Sequence, residues 1–139
     1  MKVAAVIIIL LATVVGVVPQ FTNCQYSGKA IELPSGKSLL MKCHRTARAE
    51  IALAVPLLLC GVSLLVSRRK ESWRPQAALT IVLGLFVVLL PTVLIGVCVK
   101  PGMVCRALMK PTLTLAGILV IALGALCFLL GSRQRREAK

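Results

Sequence analysis

Four uncharged apolar runs, at residues 3–18, 51–67, 77–99 and 112–131, restrict this chain more than any other feature. A bilayer's hydrocarbon core is about 30 Å thick and takes about 20 helical residues, or about 17 if the helix stands upright. The third and fourth runs span it, the second just does, and the first does so once residues 19–21 extend it. With 58% hydrophobic residues, the chain has too little polar surface to cover a soluble globule. The predicted class is all-α integral membrane: an antiparallel four-helix transmembrane bundle forming a single domain over residues 1–139. Its helices are expected at about 3–20, 46–67, 76–98 and 112–131, with outer loops at 21–45 and 99–111. Lys2 before a long apolar core also suits a signal peptide. Residues 16–19 lack a small-x-small cleavage pattern and residues 21–24 are no lipobox, so an uncleaved first helix is expected.

Basic residues set the expected orientation. Lys2, Arg68, Arg69, Lys70, Arg74, Arg133, Arg135, Arg136 and Lys139 share one side, nine in all; eight, namely Lys29, Lys37, Lys42, Arg45, Arg48, Lys100, Arg106 and Lys110, share the other. The nine are concentrated in short loops and ends, and the positive-inside rule weighs density near the membrane. Both termini are therefore expected in the cytoplasm, in a multi-pass protein of the cell membrane. The lipid bilayer accounts for much of the net charge of +13 through contact with anionic headgroups. A nucleic acid partner is not expected, because nearly half of the basic charge faces outward.

The cysteines follow the same division. Cys24, Cys43, Cys98 and Cys105 fall in the two outward segments, where disulfides persist, while Cys60 and Cys127 lie within the second and fourth runs. Leu33-Pro34-Ser35-Gly36 carries a turn signature between two short extended stretches, which predicts a small β-hairpin on the membrane surface. An isolated hairpin is marginal in water. A Cys24–Cys43 bridge closing a loop of about 20 residues would stabilise it by roughly 3 kcal/mol on the chain-entropy estimate.

Met41-Lys42-Cys43-His44-Arg45-Thr46-Ala47-Arg48-Ala49-Glu50 gathers a thiol, the chain's single histidine, several cations and a carboxylate ahead of the second run. The candidate functional cluster is Cys43, His44, Arg48 and Glu50, with Arg106 from the other outward loop. Glu50 near a helix start is favoured by the macrodipole and is expected to cap it or pair with Arg45 or Arg48. An inward-facing Glu50 would instead pair with Arg106 or carry a proton. In the fourth run, Gly117, Gly124 and Gly131 recur at intervals of seven, a seam where a neighbouring backbone can approach closely. Self-association through Gly117 and Gly124 is one expected use of it, and a membrane-protein partner is the other.

The stretch from Met41 to Glu50, taken with Pro91-Thr92-Val93-Leu94-Ile95-Gly96-Val97-Cys98 and Met103-Val104-Cys105-Arg106, resembles a family of small bacterial and archaeal membrane proteins catalogued only as a domain of unknown function (number four-four-one-eight). The resemblance covers nearly the whole chain and implies a four-helix membrane protein with outward cysteines. It brings no established activity and so lends no catalytic residue. Arg45 departs from the pattern, which favours an aromatic residue there.

Three functional readings are compatible with these residues. The first is a non-enzymatic accessory or partner-binding subunit of a membrane complex, its outer cap held by Cys24–Cys43 and Cys98–Cys105, although four cysteines also allow crossed pairings. The second is a membrane thiol-disulfide oxidoreductase, similar in layout to the periplasmic disulfide-generating quinone reductases. Cations beside Cys43 suit a thiolate there, but the C-x-x-C spacing of those enzymes is missing. The third is soft-metal handling, copper or zinc, at Cys43, His44, Met103 and Cys105. Neither a cofactor nor a conventional catalytic site is expected: with one histidine, four acidic residues and no aspartate, neither a triad nor a carboxylate pair can be assembled easily.

Overall fold

A computed structural model describes residues 2–22, 31–32, 38–39, 42–66, 73–97 and 105–137. The elements are α1 (Lys2–Thr22), β1 (Ile31–Glu32), β2 (Ser38–Leu39), α2 (Lys42–Val66), α3 (Trp73–Leu89) and α4 (Lys110–Glu137). One π-helical stretch, Leu90–Leu94, extends α3, and a second, Cys105–Met109, leads into α4. β1 and β2 form a two-residue antiparallel ladder with Ile31 opposite Leu39. The expected turn of that hairpin and its staple fall on Leu33 to Gly36, Cys24 and the Cys43 side chain, outside the described residues.

Each helix turns a narrow stripe inward. In α1 the buried residues are Ala5, Ile8, Ala12, Val15, Pro19 and Thr22, an alternation of three and four that keeps one seam on a neighbouring helix. Many of the remaining apolar side chains are exposed, Leu10, Leu59, Leu85, Leu115 and Leu129 among them. Apolar side chains both inside and outside suit lipid as the solvent. Four segments are long and apolar enough to cross a membrane: Lys2–Thr22, His44–Val66, Arg74–Leu94 and Cys105–Arg133, of 21, 23, 21 and 29 residues. At 1.5 Å per residue the shortest reaches about 31 Å. The chain is a multi-pass membrane protein.

Two core layers reveal the course of the chain. One contains Val15 from late α1, Ala47 and Ala54 from early α2, Val87 from late α3, and Cys105, Met109, Leu113 and Ala116 from the start of α4. The other combines Ile8 and Ala12, Leu57 and Cys60, Leu83 and Val120. The helices therefore alternate in direction, with α1 packed chiefly on α2 and α3 chiefly on α4. Arg74 lies over the Phe128 ring, 5.3 Å from its centroid, and joins α3 to α4 at the end away from the first layer.

The glycine seam is used inside the chain. A Cβ at Gly117 would meet Val88 Cγ2 at 2.5 Å and the Gly84 carbonyl oxygen at 3.1 Å, and one at Gly124 would meet Ile81 Cγ1 at 2.8 Å. The backbone that approaches Gly117 and Gly124 within the chain is that of α3.

Two helices begin earlier than the apolar runs suggest. α2 starts at Lys42 because Arg45 and Arg48 turn outward while Thr46, Ala47 and Glu50 turn inward, so the arginines extend the helix without entering its core. The helical course into α4 begins at Cys105, ahead of Pro111. A proline near the start of an α-helix forfeits an N–H that has no intrahelical partner anyway. The α-helical part of α3 ends short of the expected residue 98, where Pro91 opens the π-helical stretch.

Candidate functional site

At the end of the bundle where α2 begins and α3 finishes, the chain makes a polar contact between distant segments. The described threonines at 13, 22, 80, 92, 112 and 114 donate their hydroxyls to carbonyls of their own helical turns. Thr46 instead donates across to the Gly96 carbonyl oxygen at 2.9 Å. Its hydroxyl is presented inward by the same face of α2 that carries Ala47 and Glu50.

Gly96 is suited to this role by its backbone. Pro91 supplies no N–H, and the ladder widens locally into π-helical pairing. The Leu90 carbonyl then accepts from the N–H groups of both Ile95 and Gly96, each at 3.1 Å. Gly96 has φ +76°, a left-handed conformation that ends the helix and is open to a residue without a side chain. Thr46 thereby joins two separated stretches of the motif noted in the sequence, 41–50 and 91–98.

Glu50 lies one helical turn further into the bundle. Its side chain is 0% exposed, and neither carboxyl oxygen has a hydrogen-bond partner among the described residues. Ala47 and Ala54, three residues before it and four after, share its face of α2 and belong to the apolar layer with Val15, Val87, Cys105 and Met109. The expected cap or ion pair with Arg45 or Arg48 is not made: both arginines are exposed and the helix starts about two turns earlier. Arg106 is also exposed and donates no hydrogen bond to Glu50.

The remaining expected residues divide. His44 is half-buried, with a buried Nδ1 that has no hydrogen-bond partner among the described residues. Cys105 is fully buried one turn before Met109, also fully buried, in the same apolar layer; it forms no disulfide, so the bridge expected from it to Cys98 gives way to packing inside the bundle. Cys24, Cys98, Met103 and the side chain of Cys43 lie outside the described residues. Among the described residues no three His, Cys, Asp or Glu side chains converge as metal ligands. The soft-metal set therefore has only His44 and Cys105 with described side chains. Cys60 and Cys127 are buried within α2 and α4 as small side chains.

Two site residues escaped sequence reasoning. Thr46 was visible only as part of a motif, and its bond to Gly96 depends on a turn that apolar periodicity does not encode. Met109 falls in the expected outer loop at 99–111, although its four-residue spacing from Cys105 and Leu113 is a helical signal.

A family model described as a domain of unknown function (DUF4418) matches residues 2–130. No curated protein matches the chain, and no solved structure does.

Proposed function

The chain belongs to the DUF4418 family, and from that premise we propose that it is a small non-enzymatic subunit that binds a partner within a membrane complex. It lies in the cell membrane with both termini in the cytoplasm. The end bearing Thr46 and Gly96 faces outward, under a hairpin cap stapled by Cys24–Cys43. The observation that carries this reading is the Thr46–Gly96 hydrogen bond, which makes the two motif stretches one structural junction. A junction of this kind fixes the relative positions of the segments that lead into the two outward loops, as a cap presented to a partner requires.

The thiol-disulfide oxidoreductase is less well supported. Exchange needs a thiolate that a second sulfur can reach, and Cys105 is enclosed by apolar side chains. Soft-metal handling is less well supported too, since no described metal-ligand group is assembled.

The reading is tested by extracting the chain from native membranes in mild detergent and measuring its native size with and without reductant. A complex larger than the isolated chain that dissociates or shrinks on reduction is expected. A chain that migrates alone under both conditions overturns the subunit assignment.

A further inference from the structure

From its enclosure in the bundle, we infer that Glu50 is a reversible proton-binding site. Burial of an ionised carboxylate is costly without a counter-charge and hydrogen bonds. Here the carboxyl is fully buried with both oxygens unpartnered among the described residues, which offer it no fixed counter-ion. An intramembrane acid of this kind is rare unless it has a task.

The ligand class follows from the neighbouring donors. A hard metal cation takes six or more oxygen ligands, or at least several waters with carboxylates. The layer that shares its face of α2 instead contains Val15, Ala47, Ala54, Val87, Cys105 and Met109, none of which carries a side-chain oxygen. A proton needs one oxygen, which Glu50 supplies by itself.

Among the described side chains the titratable groups near Glu50 are few. On α2, His44 is half-buried, and Arg45 and Arg48 are exposed. From the α4 side, Cys105 is buried in the same layer, while Arg106 and Lys110 are exposed. α1 carries only Lys2 and α3 only Arg74, each at the end away from this layer. Glu50 lies about 12 Å along α2 from Lys42 at 1.5 Å per residue, so the proton exchanges with water over the short path past the Thr46–Gly96 junction. The step is a proton transfer between the carboxyl and water, with no other bond changed.

The test uses the full wild-type chain in native membranes and a hydrophobic carbodiimide, dicyclohexylcarbodiimide. A protonated carboxyl adds its O–H across one C=N bond of the reagent, and the O-acylisourea rearranges to a stable N-acylurea that peptide mass spectrometry can locate. An adduct at Glu50 is expected, absent from Glu50→Gln, unchanged by added sodium or potassium ions, and falling about tenfold per pH unit once the proton is released. Suppression by an alkali cation at constant pH would replace the proton by that cation and overturn the inference. So would an adduct yield that ignores pH, or no adduct in the folded chain when the detergent-unfolded chain gives one.

Discussion

Replacing Gly117 with alanine separates packing within the chain from packing between chains. The new Cβ would lie 2.5 Å from Val88 Cγ2, 3.1 Å from the Gly84 carbonyl oxygen and 3.3 Å from Val87 Cγ1. Carbon atoms rest about 3.5–4.0 Å apart, so the first contact is short by about 1 Å, and the second is with backbone that has no rotamer to change. Relief requires α3 and α4 to separate, and overpacking of this kind costs about 1–3 kcal/mol. Gly131 is the internal control, because a Cβ there meets only Arg74 Cγ at 3.8 Å, an ordinary contact. Both substitutions gain the same helix preference of alanine over glycine, about 1 kcal/mol, so their difference isolates the packing penalty. Gly131→Ala is expected to be neutral or slightly stabilising, and Gly117→Ala less stable than it by about 1–3 kcal/mol. The assay is loss of helicity during titration with a denaturing detergent, followed by circular dichroism at two protein concentrations. Identical unfolding of the two variants would refute the reasoning. A change in oligomeric state with the single chain's stability intact would do so as well, because the seam would then lie between chains.

Two further substitutions probe the junction. Thr46→Val removes the hydroxyl while keeping the shape, and is expected to lower stability by about 0.6–1.7 kcal/mol, the range for hydrogen bonds between membrane helices; Thr46→Ser should retain most of it in the same detergent titration. At Gly96, where a Cβ would meet nothing within 4 Å, any loss must come from the backbone at φ +76°. Gly96→Ala is expected to cost about 1–2 kcal/mol and Gly96→Asn less, since asparagine tolerates the left-handed region better. Equal stability of Gly96→Ala and wild type in that titration would contradict the conformation.

Much of the architecture was legible because lipid-facing and core-facing positions are both apolar, so four long uncharged runs announce four helices. The same property hid their ends. Lys42, Arg45 and Arg106 belong to helical turns, yet a reading based on apolar runs stops at the first charge. Glu50 shows a related limit: its proximity to Arg45 and Arg48 in sequence suggested an ion pair, whereas helical geometry turns them to other faces. Two glycines of the seven-residue repeat, Gly117 and Gly124, mark a close helix approach and Gly131 does not; the period carries no information on whether the neighbouring backbone is in the same chain. The Thr46–Gly96 bond spans 50 residues and depends on the π-helical exit of α3, which proline alone signals only as a disruption.

The account is tested most directly by mass-resolved thiol labelling of native membranes with a membrane-impermeant maleimide, before and after reduction. The expected result is labelling of Cys24 and Cys43 from the outer face only after reduction, with Cys127 unlabelled until the chain is unfolded. Labelling of Cys24 and Cys43 without reduction would contradict the stapled cap, and a reagent that reaches Cys127 while missing Cys24 would contradict the orientation.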